Sequence, residues 1–567
     1  MNRSIVFVAS IALLVALILF LSNRVPSTWA QPQVALTTNT AYSWTKTWGG
    51  SLANVSPNDV AVDPSNNLYV VGQFSGTVNF DPAGLNPSAT VTSHDHTFDA
   101  FVEKFDPNGT FQWVKTWGSS YITDTTKWLC GRDAASAVGF DASGNVYVSG
   151  LFQNTVDFGD GHPITSNAAT FCPLYYSPGN NVFISKFSPD GTFKWVRTWG
   201  GTSGGESYNV VVDSANGFVY VQGDWSTINI SVPVDFNPTG NGSGHDWHTN
   251  HGFYDAFLSK WDVTGTFQWA KTWGGEGYDD GTTVTLDGSG NVYVAGMYDS
   301  INIDFDPAGI NPAGLGHPAN VTTSTLVPGR NVDVFLVKFD HSSTGNFQWV
   351  RTWGGLDIDD AAGSVLVDHA NNVYVGGRFG CPNCNFNAGP TGAPDPHQTH
   401  NPAPPGATYD QKNDALDAFL AKYDSNGNYL WARTWGGNGS DDVCHIAVDS
   451  LDDVYTAGFF TSTANFDEIG SGDNHVSHGG WDVFLNKFDS TGNFQWAKTW
   501  GGSGDDYSFG MTFNGADSLY VAGTFASTVD FDPGSAVDNH AAHGITDVFL
   551  TKYLSLSHNL FLPVVVK

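Results

Sequence analysis

The stretch FQWAKTWGG at residues 267–275 recurs with small changes along the whole chain and decides the fold. A phrase of the form aromatic-x-Trp-x-(Lys/Arg)-Thr-Trp-Gly occurs seven times. Its second tryptophans are Trp48, Trp117, Trp199, Trp273, Trp353, Trp435 and Trp500. A Tyr-x-x-Gly phrase, an Asp/Asn-x-Phe phrase and an Asn/Asp-Phe pair also occur seven times each. Because a fixed period marks repeated structural units, about 510 residues divide into seven units of roughly 73 residues.

One unit shows how its strands arise. Residues 281–287 alternate apolar and small side chains as a strand does, and Gly288–Asn291 turns the chain into a second strand at 292–297. The third and fourth strands follow at 333–339 and 347–353. Four antiparallel strands of this length form one propeller blade. We therefore predict an all-β protein, a seven-bladed β-propeller with four antiparallel strands in each blade.

The first tryptophan phrase, Tyr42 to Trp48, stands alone at the N-terminus, whereas the last unit ends after Phe549 and lacks that phrase. We therefore expect the N-terminal strand to complete the last blade and close the ring, which leaves no long exposed sheet edge. The predicted propeller spans residues 42–554.

Two segments resemble the SBBP (seven-bladed β-propeller) repeat family. They are WGGEGYDD at residues 273–280 and LDGSGNVYVAG at residues 286–296. The resemblance covers all seven units and implies a propeller fold in an exported bacterial protein, without a defined reaction. The third unit departs from the family pattern, because Glu206-Ser207-Tyr208 replaces the Asp pair.

The N-terminus has the pattern of an export signal. Arg3 precedes an apolar run at residues 5–21, and Thr28 and Ala30 place small residues before a cleavage site. We predict a signal peptide at residues 1–30, removed near Ala30, and a short linker at 31–41; an uncleaved anchor is the alternative. The apolar tail, residues 555–567, is too short to span a bilayer. The mature chain is expected to be secreted or on the cell surface, monomeric and without a membrane span.

Charge excludes one class of partner. The chain carries 23 Lys and Arg against 55 Asp and Glu, a net charge of −32. Because nucleic-acid binding needs clustered cations, we expect no nucleic-acid partner. Most cations also recur once per unit, between the paired tryptophans or three residues after the repeated Phe. That recurrence indicates a structural role, with the cations lying over aromatic rings.

Strand direction places the long connections between second and third strands on one face, together with the links between blades. Such loops on a rigid scaffold are where binding residues concentrate. Exposed aromatic side chains there can stack on sugar rings. The candidates are Tyr175, Tyr176, Trp247, Tyr254 and Tyr409. The alternative is that these rings only hold their own loops in place.

Carboxylates on the same face are candidates for Ca²⁺, which takes six to eight oxygen ligands. The candidates are Asp279, Asp280, Asp306, Asp505, Asp506 and Asp532. The alternative is that they cap turns by accepting backbone hydrogen bonds. His-x-x-His pairs such as His475/His478 precede the third strands, where a zinc site or a plain loop contact would both fit. For the histidine pairs the loop contact is favoured over zinc. No catalytic residue and no cofactor are indicated, although Ca²⁺ stays open.

Five cysteines in an exported chain allow two disulfide bonds. Cys130 and Cys172 belong to one unit, and Cys381 and Cys384 lie in one loop. We predict these two pairs, with Cys444 left over.

Our leading hypothesis is a non-catalytic extracytoplasmic propeller that binds a glycan or a surface protein on the face of the long second-to-third loops. One alternative is an extracellular Ca²⁺-dependent hydrolase or lyase, and another is a purely structural envelope or matrix protein. Fold alone does not separate these hypotheses.

Overall fold

The computed structural model describes residues 41–119, 131–166, 180–201, 204–226, 232–242, 244–300, 303–306, 332–354, 360–381, 383–387, 394–400, 416–515 and 518–554. The range Ala41–Leu554 forms one compact unit. Its strands form seven four-stranded antiparallel units, so the prediction of an all-β seven-bladed propeller is confirmed.

The first strand belongs to the last blade. It is β1 (Ala41–Trp48). The first blade contains β2 (Asn54–Val62), β3 (Leu68–Ser75), β6 (Asp99–Phe105) and β7 (Phe111–Trp117). The second contains β8 (Ala134–Phe140), β9 (Val146–Phe152), β12 (Asn181–Phe187) and β13 (Phe193–Trp199). The third and fourth blades contain β14 (Gly204–Asp213), β15 (Phe218–Ser226), β18 (Asp255–Asp262) and β19 (Phe267–Trp273), then β20 (Asp279–Leu286), β21 (Val292–Tyr298), β22 (Asp333–Phe339) and β23 (Phe347–Trp353).

The remaining blades follow the same order. The fifth and sixth contain β24 (Ala361–Val367), β25 (Val373–Phe379), β28 (Asp417–Tyr423) and β29 (Tyr429–Gly437), then β30 (Asp441–Val448), β31 (Val454–Phe460), β34 (Asp482–Phe488) and β35 (Phe494–Trp500). The seventh contains β36 (Tyr507–Phe513), β37 (Ser518–Phe525) and β40 (Asp547–Leu554), with β1 as its outer strand.

Among the described residues, short hairpins are present in six of the second-to-third connections. Their strands are β4 (Thr77–Asn79) and β5 (Thr90–Thr92), β10 (Thr155–Val156) and β11 (Ile164–Thr165), β16 (Val234–Asp235) and β17 (Trp247–His248), β26 (Cys384–Asn385) and β27 (Pro396–His397), β32 (Thr463–Asn465) and β33 (Asn474–Val476), and β38 (Thr528–Asp530) and β39 (Asn539–Ala541). Two 3₁₀ turns, Pro87–Ala89 and His94–His96, lie in the first connection. Across the described ranges no helix is long and apolar enough to cross a membrane.

The repeated tryptophan packs each blade against the next one. Trp273 ends β19 of the third blade, and its ring lies 6.0 Å from Phe335 and 5.7 Å from Phe339 of the fourth blade. The glycine after it permits a close approach, because a Cβ on Gly274 would lie 2.3 Å from the Asp255 carboxylate. The repeated phrase is therefore an inter-blade contact as well as a strand.

The recurring cations are structural, as their spacing predicted. The Arg197 guanidinium lies 5.3 Å from the Trp195 ring, and its Nε donates to the Gly265 carbonyl in the next blade at 2.7 Å. The repeated lysines lie over tyrosine rings in the same way, as Lys422 lies 4.6 Å from Tyr374. Most of the few cations are thus committed to packing.

The seventh sheet joins the two ends of the described range. β1 runs antiparallel to β40, from Ala41 opposite Leu554 to Trp48 opposite Val548. The first strands of neighbouring blades contact each other in turn, β36 and β2 among them. The first strands therefore lie at the inner edge of the ring.

Candidate functional site

Each first strand begins, each second strand ends and each third strand begins on one face of the ring, which we call the loop face. The opposite face carries the short turns, where Asp287 accepts hydrogen bonds from the Ser289 and Asn291 N–H groups at 2.9 and 3.0 Å. The predicted division of the loops between two faces is therefore present.

The aromatic candidates divide into two groups. Tyr175, Tyr176 and Tyr409 lie outside the described residues. Trp247 lies in β17 with 60% of its surface exposed. Tyr254 immediately precedes β18, and its ring stacks on Tyr278 at 5.7 Å.

Several of the predicted metal ligands cap turns. Asp279 Oδ2 accepts from the Gly275 N–H and the Ser300 hydroxyl, at 2.7 and 2.5 Å. Asp506 accepts from the N–H groups of Gly502 and Ala526, at 2.7 and 3.0 Å. Burial raises the pKa of Asp279 to about 7 and that of Asp506 to about 6. Such bonds occupy these oxygens without a metal ion.

Of the other four candidates, Asp280 lies in β20 and the remaining three are in separate loops. Asp505 Oδ1 accepts from the Trp481 N–H at 3.2 Å, and Asp532 Oδ1 from the Gly534 N–H at 2.8 Å. The Asp306 N–H donates to Asp304 Oδ1 at 2.9 Å. Ca²⁺ binding by these side chains stays a prediction.

The two histidines of each His-x-x-His pair have different partners. His475 Nδ1 lies 2.8 Å from Thr499 Oγ1 of the tryptophan phrase, whereas His478 Nδ1 lies 3.0 Å from Asp482 Oδ2 at the start of β34. The same two contacts recur for His540 and His543 in the seventh blade. These bonds fasten the hairpin to the blade, as the loop-contact interpretation predicted.

The fifth blade has the equivalent pair His397 and His400, and His400 has an additional partner. His400 Nδ1 lies 2.7 Å from Asp417, and its Nε2 lies 3.0 Å from Glu468, which belongs to the next blade. Burial raises the pKa of Glu468 to about 7, and the hydrogen bond to Asp417 raises the pKa of His400.

Cys381 and Cys384 form a disulfide with their Cα atoms 5.4 Å apart, as predicted from their spacing. Cys130 and Cys172 lie outside the described residues, so that pair stays a prediction. Cys444 is a free, partly buried cysteine.

Two clusters of side chains lie at the inner edge of the loop face, at positions where the residue differs from blade to blade. The first, which we call the acidic site, comprises Glu206, Tyr208, Asp224, Tyr254 and Asp280. Glu206 on β14 pairs with Asp224 on β15, and Tyr208 Oη donates to Asp224 Oδ2 at 2.9 Å. Asp224 and Asp280 of the next blade are close enough to share a hydrogen bond.

Burial determines the electrostatics of the acidic site. It raises the pKa of Asp224 well above its usual range, with Asp280 and Glu206 adding to the shift, and raises that of Asp280 to about 6. The pKa of Glu206 is also raised by burial, while Arg132, with Nη1 3.6 Å from Glu206 Oε1, opposes the shift. Burial raises the Tyr254 pKa to about 12. The site thus brings carboxyl groups together where little water solvates them, which favours their protonated forms.

The second cluster, which we call the aromatic pocket, is a cavity of about 300 Å³ over the fifth to seventh blades. Its lining is Arg378, Leu416, Ser440, Asp441, Asp442, Phe459, Trp481 and Tyr507. The Phe459 ring lies 4.9 Å from Trp481 and 5.1 Å from Tyr507, nearly perpendicular to both. Arg378 Nη1 lies 2.9 Å from Asp442 Oδ2. Partly exposed rings beside fixed polar groups suit a ligand that has both apolar and hydroxyl surfaces.

Sequence reasoning singled out Tyr254 and Asp280 but missed the rest of both clusters. The sequence does contain a signal for these clusters. The residue directly after the Tyr-x-x-Gly phrase, at the end of each second strand, varies from unit to unit while its neighbours repeat. The seven residues are Gln73, Leu151, Asp224, Met297, Arg378, Phe459 and Thr524. The replacement of the Asp pair by Glu206-Ser207-Tyr208 was a second signal.

The fold and the site together define the class of protein. It is a repeat β-propeller whose loop face carries different residues in different blades. Residues 44–73 match the SBBP family model, described as a beta-propeller repeat. The chain thus carries the SBBP repeat.

Two relatives are similar over different lengths. An uncharacterized WD repeat-containing protein of Acanthamoeba polyphaga mimivirus is 22% identical over 532 residues, which cover 84% of this chain and 36% of the relative. The regulatory protein FlaEY of Caulobacter vibrioides is 30% identical over 135 residues, 23% of this chain and 14% of that protein. The chain therefore spans about a third of the viral relative and much less of FlaEY.

Among solved structures, hydrazine synthase of Kuenenia stuttgartiensis matches 86% of this chain and 95% of its own, with a TM-score of 0.37 and 8% identity. A likeness at this level carries no inference about function.

Proposed function

We propose that this protein is a non-catalytic, extracytoplasmic binding scaffold that recognises a glycan at the aromatic pocket of its loop face. The observation that carries the proposal is the pocket itself, where Phe459, Trp481 and Tyr507 present partly exposed rings beside the Arg378–Asp442 pair. Aromatic faces take up the C–H surfaces of sugar rings, and fixed charged groups accept and donate hydrogen bonds to the hydroxyls.

Two further points support a scaffold. The propeller fold holds the pocket residues on strand ends of three blades, which keeps them rigid. The mimivirus relative is named for its WD repeats, in line with a repeat protein that acts through contacts. The extracytoplasmic setting rests on the export signal that the sequence predicts at residues 1–30.

The test is a glycan array probed with residues 31–567, with and without Ca²⁺, followed by calorimetry on each hit. Trp481→Ala removes one pocket wall, and we expect affinity to fall about tenfold or more. Trp247→Ala is the matched control, because it removes an exposed tryptophan from a hairpin of the third blade and should leave affinity unchanged.

Each outcome decides between the hypotheses. Sugar hits that Trp481→Ala loses support the proposal, whereas hits that survive this substitution place the site elsewhere and refute it. Release of a shortened or unsaturated product in the presence of Ca²⁺ would instead support the hydrolase or lyase. Silence on the array favours the structural role.

A further inference from the structure

His400 joins two blades through both nitrogens of its imidazole ring. Its Nδ1 lies 2.7 Å from Asp417 Oδ2, at the start of β28 in the fifth blade, and its Nε2 lies 3.0 Å from Glu468 Oε1, in the hairpin of the sixth blade. The Thr434 hydroxyl donates to Glu468 Oε2 at 3.2 Å and also lies 3.1 Å from His397 Nδ1. Separate segments of the chain therefore converge on one ring.

The contact with Glu468 departs from the repeat. At the equivalent position in the third, sixth and seventh blades, the ring of His251, His478 or His543 lies 3.1, 3.0 or 2.7 Å from a third-strand aspartate, through Nδ1. Those three side chains are 63%, 67% and 70% exposed, whereas that of His400 is 33% exposed. Among the histidines that the structure describes, His400 alone has a carboxylate on each ring nitrogen.

Glu468 is the residue that creates this difference. It stands two residues after Phe466 of the Asn/Asp-Phe pair, where four of the seven units have proline. Those prolines are Pro82, Pro238, Pro307 and Pro533. Because a proline side chain has no hydrogen-bonding group, it cannot bond to a histidine of the preceding blade.

This geometry requires a proton beyond the one that a neutral ring carries. A neutral imidazole has a single N–H, yet both nitrogens of His400 face acidic oxygens. The second bond forms only when the ring or the Glu468 carboxyl takes up one more proton. Without it, the N–H stays on Nδ1, because Asp417 is 1% exposed and also holds the His400 backbone N–H at 2.7 Å. The Nε2 lone pair then faces a carboxylate, and the contact between the blades is lost.

The surrounding groups favour the protonated form. The hydrogen bond to Asp417 raises the pKa of His400, and burial raises the pKa of Glu468 to about 7. Burial also raises the pKa of Asp417 and that of Asp441 on β30, where Asp417 and Glu468 add to the shift. The folded state therefore binds the proton more tightly than the unfolded state does. The resulting stabilisation is present at low pH and is lost as the pH rises through the folded-state pKa values.

A cavity of about 230 Å³ lies beside the cluster, with Thr434, Asp467 and Glu468 in its lining. Arg433 lines the same cavity, but its Nε donates to the Gly492 carbonyl at 2.6 Å. Water in the cavity can therefore exchange the proton, while the nearby guanidinium is committed to another contact.

We propose that His400 is a proton-dependent clasp between the hairpins of the fifth and sixth blades, closed while it shares an extra proton with Glu468 and open once that proton is lost. The sixth-blade hairpin also pairs with the end of β29, where Gly436 lies opposite Asn465. The clasp therefore controls how tightly this part of the loop face is held, in addition to that backbone pairing. The proposal does not depend on glycan binding in the aromatic pocket.

Hydrogen exchange of the full chain, measured in the peptide that contains residues 463–476, tests the clasp. His400→Gln removes the ring and keeps a polar side chain. At about pH 6 we expect exchange in that peptide to be about threefold faster or more in His400→Gln than in the parent protein. At about pH 9 the two proteins should exchange equally, because the clasp of the parent is then open. Comparison at one pH cancels the intrinsic pH dependence of exchange.

Two further variants identify the cause. Glu468→Gln keeps the size of the side chain and removes its charge, so His400 should titrate about one pH unit lower in NMR spectra. His478→Gln is the matched control at the same repeat position, and it should leave exchange of residues 528–541 in the next hairpin the same at both pH values. An effect of His400→Gln that is equal at both pH values, or absent at about pH 6, overturns the proposal. An unchanged titration of His400 in Glu468→Gln does so as well.

Discussion

Replacement of Trp48 by alanine tests how much the N-terminal strand contributes to the fold. Trp48 is 2% exposed, its ring lies 5.2 Å from Phe105, and it packs with Val548 and Leu550 between the seventh and first blades. Removing such a side chain from a packed core costs about 3–5 kcal/mol. With an unfolding entropy of about 2.1 cal/mol/K per residue, each kcal/mol lowers Tm by about 1 °C for a unit of this size. We expect Trp48→Ala to melt about 3–5 °C below the parent protein.

The assay is thermal unfolding followed by circular dichroism, with Trp273→Ala as the matched control. Trp273 is also 2% exposed, but it lies between two blades that follow one another directly in the chain. If β1 completes the seventh sheet in solution, the two variants lose similar amounts. A Trp48→Ala protein that melts within about a degree of the parent, beside a Trp273→Ala protein that does not, would refute the reasoning. Deletion of residues 41–48 should cost more and cause aggregation, because it exposes the edge of β40.

Three further predictions concern bonds and charges. Without reductant, the peptide containing Cys381 and Cys384 should resist alkylation; ready labelling of both would contradict the disulfide. Millimolar Ca²⁺ should raise Tm no more than Na⁺ at matched ionic strength, and a Ca²⁺-specific rise of several degrees that Asp506→Asn abolishes would show a metal site. Burial raises the pKa of Asp279 to about 7, so the folded state binds its proton more tightly than the unfolded state and Tm should rise as the pH falls from about 8 to about 5. Asp279→Asn should flatten that dependence, and parallel curves for the two proteins would contradict its cause.

The repeat determined much of the fold before any coordinates. Seven copies of the tryptophan phrase gave seven blades, and the recurring cations were interpreted as packing elements, which Arg197 over Trp195 shows. Residues that repeat experience the same surroundings in every blade, so period and alternation are enough to place them. The His-x-x-His pairs were interpreted in the same way, and His475 and His478 contact the blade.

The sequence predicted only part of the candidate site. Tyr254 and Asp280 were singled out, because one is aromatic beside a third strand and the other belongs to a repeated Asp pair. Arg378 and Asp442, or Asp224 and Asp280, are more than fifty residues apart and meet only where one blade packs on the next. Strand register and the angle between blades decide those contacts. A pattern that is local to one unit contains neither quantity.

The sequence by itself therefore determined the class of fold, the number of blades and the face on which long loops gather, since each follows from local periodicity. Only the tertiary structure decided which variable residues face one another across a blade boundary, and how deeply each is buried. The physical reason lies in desolvation: Asp442 beside Arg378 and Asp280 beside Asp224 are the same residue type at the same repeat position. Burial raises the pKa of both, but the guanidinium of Arg378 opposes that shift at Asp442, and Asp280 has no cation in the same place.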